Sequence, residues 1–201
     1  SKGKYFMWIA DDDTFDDNYI TSCVRFLESN PSYALCSGTC KYQINNNIVV
    51  TEKKLLLTNE NSIYRLFKYF YYVNKNGIFY GVYRNNLGFE NPIQKHMGAD
   101  WSHIARTALA GKVFTLDTVE ITRSDAGNSA SRGKIANRWN LSALERIFLE
   151  TVASYKIAQY LFNEPAISQK YHAVTRFIIQ LLVFFMLNIK FLLNSIRIRF
   201  N

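Results

Sequence analysis

Apolar positions fall into two patterns along the chain. Residues 5–10 (Tyr-Phe-Met-Trp-Ile-Ala) form one short continuous apolar run, the signature of a strand buried on both faces. The run stops at Asp11-Asp12-Asp13. Asp16 or Asp17 is then placed to cap a helix reaching about residue 29, with Ile20, Val24 and Leu27 on one face and Asn30-Pro31 as its stop. Residues 33–42 read as a second strand, and three consecutive Asn at 45–47 read as a hairpin turn before Ile48, Val49 and Val50. Helical spacing of Ile63, Leu66, Phe67 and Phe70 predicts a helix over 59–74, followed by a strand over 77–83. A helix over 100–110 ends at Gly111, and a strand covers 112–116. A long amphipathic helix over 141–162 stops at Asn163-Glu164-Pro165, and a last, strongly apolar helix runs from about 171 to 198. Strands alternating with helices predict an α/β sheet, and open α/β sheets bind ligands beyond the C-terminal ends of their strands. Asp11-Asp12-Asp13 lies at such an end.

Charge changes this picture in one respect. The 201 residues carry a net charge of +8, distributed unevenly. Residues 1–100 hold 11 basic and 10 acidic side chains, and residues 101–201 hold 13 and 6. A basic second half suits an anionic partner: nucleic acid, phosphate or a membrane surface. With 48% hydrophobic and 20% charged residues the chain is not disordered, and its 3 Cys, 9 Gly and 3 Pro exclude disulfide-framework and collagen-like classes. Cys23, Cys36 and Cys40 are an odd set that predicts reduced, buried thiols, and no second Cys/His pair completes a zinc site. No signal peptide precedes the first strand, and the opening Ser1-Lys2-Gly3-Lys4 reads as the start of a fragment.

Three adjacent carboxylates repel one another unless a cation or a set of donors compensates. Mg²⁺ or Mn²⁺ takes one or two protein carboxylates and leaves other positions for substrate phosphates, which suits a short acidic turn. A solvated loop of helix caps is the plainer alternative. A calcium EF-hand fails on spacing, because Asp16 stands where its Gly belongs and Ser22 where its Glu belongs.

Gly3-Lys4-Tyr5 through Asp11-Asp12-Asp13, with Asp17 and Ile20 following, resembles the middle of family-2 glycosyltransferases of the GT-A fold. The resemblance implies a DxD-type motif in which Asp11, Asp12 and Asp13 hold Mg²⁺ or Mn²⁺ and the diphosphate of a nucleotide sugar, UDP-linked in the first instance. Either Asp11 with Asp13 or Asp12 supplies the metal ligand, depending on register. Gly98-Ala99-Asp100-Trp101 is similar to the family's acidic motif at a helix start, and implies Asp100 as the catalytic base on the acceptor hydroxyl. Ala99 stands where the family has a first acid, and a helix N-cap is the simpler role for Asp100. Residues 78–84 resemble the acceptor-side strand, which implies acceptor contacts at Tyr80 and Gly81, with Trp101 beside them. Gly81 reads equally as a strand bulge. Residues 123–131 resemble a basic Gly/Ser-rich loop in which Arg123 or Arg132 would bind phosphate.

The implied architecture is a partial GT-A domain with a mixed sheet over residues 1–135, followed by C-terminal helices over 140–201. The family's nucleobase-gripping half would lie before Lys4, so weak or absent activity is expected of this chain alone. The tyrosines and phenylalanines of the 59–74 helix read first as core and second as a sugar-stacking wall. Residues 177–193 are marginal for a membrane span, and the Arg176, Lys190, Arg197 and Arg199 set suits a helix on an anionic leaflet; a buried core helix is the alternative. The expected partners are a nucleotide-sugar donor, a glycan or lipid-linked acceptor and an anionic membrane surface at the cytoplasmic face. Nucleic acid is not expected, because the acidic turn repels phosphate and no run of five Lys/Arg occurs. A non-catalytic remnant of the fold at a membrane surface is the other alternative.

Overall fold

A computed structural model describes residues 3–44, 47–85, 96–124 and 132–199. It is an α/β structure with a mixed sheet, and contacts divide it into two units. One comprises Ser1–Pro92 with His103–Gly127, and the other Ile93–Ser102 with Asn128–Asn201. Residues 93–102 thus group with the C-terminal helices, and the division falls at 127.

The first unit is built on β3 (Tyr33–Ile44) and β6 (Lys112–Ser124), which pair in parallel. Antiparallel β5 (Val82–Arg84) and β4 (Asn47–Thr51) also pair with β3, β1 (Tyr5–Met7) extends the sheet beyond β5, and β2 (Thr14–Phe15) pairs with β6. Residues 34–38 of β3 are buried on both faces, as a central strand requires. Helix α1 (Tyr19–Ser29) lays Tyr19, Cys23 and Leu27 into a cluster with Cys36, Cys40, Tyr42, Val82, Val119 and Ile121. All three thiols are buried and free. Helices α2 (Ser62–Tyr72) and α3 (Ala99–Ala110) bury Leu66, Tyr69, Phe70, Ile104 and Ala108.

Several expectations are corrected. The first strand stops at Met7 and is only half-buried, because β1 is the terminal strand of the sheet order and leaves Trp8 and Ile9 exposed. Helix α1 starts at Tyr19 and buries Tyr19 and Cys23 in place of Ile20, because Asp16 is committed to β6: its Oδ2 accepts the Glu120 N–H at 2.8 Å. Residues 77–80 form a 3-10 turn ahead of β5. Asn76 is in the left-handed region at φ 62°, and the Glu52 carboxylate accepts the N–H groups of Lys75 and Gly77 at 2.8 and 2.7 Å. Strand β6 does not end at Leu116. A register shift between Ser37 and Thr39 leaves residues 116–119 as a bulge, and pairing then continues to Ser124. A Cβ on Gly38 would lie 2.4 Å from the Val119 carbonyl oxygen, so only glycine lets the bulge close onto β3.

The second unit contains α4 (Arg132–Arg138), α5 (Ala143–Ile147), α6 (Leu149–Phe162), α7 (Pro165–Ser168) and α8 (Ala173–Arg199). The single helix expected over 141–162 is two, broken at Phe148. A capping box between Ser142 and Glu145 opens α5. Helix α6 packs along α8, burying Ile157, Ala158 and Leu161 on one and Ile179, Val183 and Leu187 on the other. Thr151 donates to the Asn188 side-chain oxygen at 2.9 Å across the pair.

Candidate functional site

The acidic turn follows directly from the pairing of β2 with β6. Beyond β1 the chain turns at Asp11 and Asp12, and the Asp13 N–H reaches the Ala10 carbonyl at 3.4 Å. Thr14 then pairs with Thr122, which brings Asp13 against Arg123. The Arg123 Nε–H donates to Asp13 Oδ2 at 3.0 Å and to Oδ1 at 3.3 Å. Asp13's side chain is 1% exposed and that of Arg123 18%. Burial pushes the Asp13 carboxyl above its ordinary range, outweighing the downward pull of Arg123, and neighbouring Asp12 and Asp11 push the same way. Burial lowers the affinity of Arg123 for its proton, but Tyr80 and Asp13 more than compensate and the net shift is upward.

Two rings hold the guanidinium. Its carbon lies 3.7 Å from the centroid of the Tyr80 ring and 5.7 Å from that of Tyr42. The Tyr42 hydroxyl donates to Glu52 at 3.3 Å, and Glu52 shapes the 3-10 turn that carries Tyr80. The Tyr80 carbonyl accepts the buried Tyr19 hydroxyl at 3.3 Å, and that hydroxyl accepts the Gly38 N–H at 3.0 Å. Three predicted positions far apart in sequence, Asp13, Tyr80 and Arg123, therefore meet in one place. Arg123 reaches it from a strand, correcting the loop expected at 123; residues 125–131 lie outside the described set, as does the side chain of Arg132.

The other predicted residues divide as follows. Asp11 and Asp12 are exposed. A Cβ on Gly81 would lie 2.7 Å from the Cys36 carbonyl oxygen, so its absence is used by β3. Asp100 occupies the first turn of α3, where a carboxylate complements the helix dipole. Trp101 packs on Phe191 of α8 at 5.7 Å between ring centroids. Asp100 and Trp101 belong to the second unit, and Asp11, Asp12, Asp13, Tyr80, Gly81 and Arg123 to the first.

Sequence reading missed Trp8 and Phe79. Trp8 is 40% exposed and stacks on Phe79 with an interplanar angle of 10°. Phe79 in turn meets Tyr80 edge-on at 5.2 Å, so an aromatic row runs from Trp8 to the Arg123–Asp13 pair. The available signal was Trp8 lying three residues before the acidic turn; the uniformly apolar run around it hid that it was exposed.

Chemically, the turn has one carboxylate committed and two presented. Asp13 and Arg123 compensate each other and fix the backbone, leaving Asp11 and Asp12 facing solvent. Among the described residues no group of three His, Cys, Asp or Glu side chains converges to hold a metal by itself. Two exposed carboxylates suit Mg²⁺ or Mn²⁺, which share their coordination sphere with phosphate oxygens and water. In comparisons with known proteins, the chain matches no family and no curated sequence.

Proposed function

We propose that the chain is the acceptor-side part of an inverting, metal-assisted glycosyltransferase of the GT-A type, acting at the cytoplasmic face of a membrane on a glycan or lipid-linked acceptor. The observation carrying this reading is the acidic turn that follows β1 after Trp8–Ala10, with Asp13 neutralised by Arg123 and Asp11 and Asp12 left to solvent. Asp11 and Asp12 would hold the divalent ion. When bound, the ion supplies positive charge to a leaving nucleoside diphosphate. Arg123, with its Nε–H shared between the two Asp13 oxygens and its face on Tyr80, positions the turn. Asp100, at the head of α3, takes the proton from the acceptor hydroxyl as the sugar is transferred. Tyr80 and the aromatic row beside it offer ring faces to a pyranose.

Manganese titration of the 201-residue chain, followed by electron paramagnetic resonance with UDP present, tests the turn. Asp12→Asn is expected to weaken Mn²⁺ binding by at least about tenfold. Asp100→Asn leaves that binding unchanged and, in a longer protein that also carries the donor-binding half, abolishes sugar transfer. Mn²⁺ affinity unaltered in an Asp11→Asn/Asp12→Asn double variant removes the turn as the metal site.

A further inference from the structure

Helix α8 exposes much of its apolar surface. By length and composition its segment Ala173–Leu193 is the one stretch, among the described residues, apolar enough to cross a bilayer. Its apolar side chains divide by face. Ile179, Val183 and Leu187 are buried, whereas Val174, Ile178, Leu181, Phe185 and Leu192 are exposed on the opposite face at helical spacing. Between Val174 and Leu192 that exposed face carries no charge. Arg176 and Lys190 lie toward the packed side: the Arg176 guanidinium stands 4.5 Å from the ring centre of Phe162 on α6, and the Lys190 ammonium 5.9 Å from that of Trp101.

Helix α6 decides the orientation. It runs along α8 through a buried apolar seam, so a spanning α8 would take α6 into the hydrocarbon layer with it. Helix α6 carries Glu150, Lys156 and Gln159, and Lys156 is exposed. Each charged group at the centre of a bilayer costs about 2.5–3.5 kcal/mol. Laid in the plane of the interface, α8 buries its apolar face to a depth of about 5–10 Å while α6 stays hydrated on the other side. Charge specifies the surface. Residues 132–201 hold ten Lys and Arg against three Asp and Glu, an excess suited to anionic headgroups.

We infer that α8 is an in-plane membrane-docking helix whose Val174–Ile178–Leu181–Phe185–Leu192 face enters one leaflet of an anionic bilayer, with α6 as its water-side partner. This deepens the membrane-surface part of the proposed function and uses no step of sugar transfer. The test is flotation of the 201-residue chain with equimolar phosphatidylcholine–phosphatidylglycerol vesicles, alongside phosphatidylcholine alone. Nitroxide labels on single cysteines introduced at positions 174, 178, 181, 185 and 192 then report depth; the three native cysteines are buried. The expected result is binding to the anionic vesicles that weakens with salt, falls by about tenfold or more in Phe185→Glu, and places all five labels at one shallow depth. A depth profile peaking at positions 181–185 and falling at both ends means that α8 spans, and overturns the inference. Absence of vesicle binding overturns it too, and a dimer in solution that Phe185→Glu dissociates assigns the face to a second copy of the chain. Neither result bears on sugar transfer, which the manganese and turnover measurements read separately.

Discussion

The two units handle polarity in opposite ways. The sheet unit turns the guanidinium groups of Arg65 and Arg84 inward onto backbone carbonyls, whereas the helical unit leaves one apolar face of α8 outside. In the sheet unit Arg65 is buried and donates to four carbonyls: Ala108 at 2.7 Å, Leu109 at 3.2 Å, Asn59 at 2.7 Å and Glu60 at 2.9 Å. Two of these are last-turn carbonyls of α3, which lack helical partners of their own. Arg84 serves α1 in the same way, donating to the carbonyls of Leu27 and of Asn30 and, at 2.8 Å, to that of Tyr33. In the helical unit the long side chains of α8 gain nothing from the protein on their outer face. Stability in the first unit therefore depends on polar groups, and the exposed apolar surface of the second is available for binding.

The contrast is tested most severely at Arg65. Arg65→Met keeps the volume but strands the buried carbonyls of Ala108 and Leu109 and leaves those of Asn59 and Glu60 to water, and should cost about 2 kcal/mol or more, read as a lower urea midpoint at unchanged slope. A loss under about 1 kcal/mol would mean that water replaces the guanidinium and that this polar interior is not selective.

His103 gives the next effect. It is packed among Phe6, Trp8, Phe79 and Tyr83, with ring centroids 5.1 to 6.5 Å away, and burial, with Arg106 adding to it, lowers its pKa from 6.5 to about 4. The unfolded chain takes up this proton near pH 6.5 and the folded chain only near 4. Stability is thus fully present above the unfolded value and is lost as pH falls through this window, by about 3 kcal/mol for this group. His103→Phe should flatten the loss between pH 7 and 4 in urea titrations at each pH. Part of the slope should remain, since burial depresses His96 in the same direction. An unaltered slope excludes His103 as its source.

The smallest effect belongs to the other unit. Phe185→Glu should change stability by no more than about 0.5 kcal/mol while it weakens vesicle binding. A large loss of stability would place Phe185 in the protein interior and remove the contrast.

How far the sequence revealed these features depended on the range of the interaction. Local signals were legible: the α/β alternation, the α3 start near Asp100, the stop at Gly111 and the 112 strand start all follow from neighbours in the chain. The end of β6 was not, because the bulge at 116–119 interrupts the apolar pattern and depends on Gly38 in another strand. The acidic turn was legible as a turn, but the different role of Asp13 was not. Three adjacent aspartates are equivalent in sequence, and only Arg123, brought over by the β2–β6 pairing, distinguishes one of them. The roles of Arg65 and Arg84 were not legible, since periodicity marks where a helix or strand faces but not which carbonyls lie within reach of a guanidinium. On α8 the run of apolar residues was plain, whereas its division into buried and exposed faces required α6.

The Asp13–Arg123 contact joins residues 110 apart in the chain. Contacts of such separation form only after the intervening chain has paid its loop-closure entropy, so they come late in folding. β2 has two residues and depends on β6 for its partner, so the acidic turn has no stable form until β6 is in place. Presentation of Asp11 and Asp12 is thereby coupled to completion of the sheet. A nascent or nicked chain lacking β6 would carry the same aspartates without the geometry that separates the committed one from the other two.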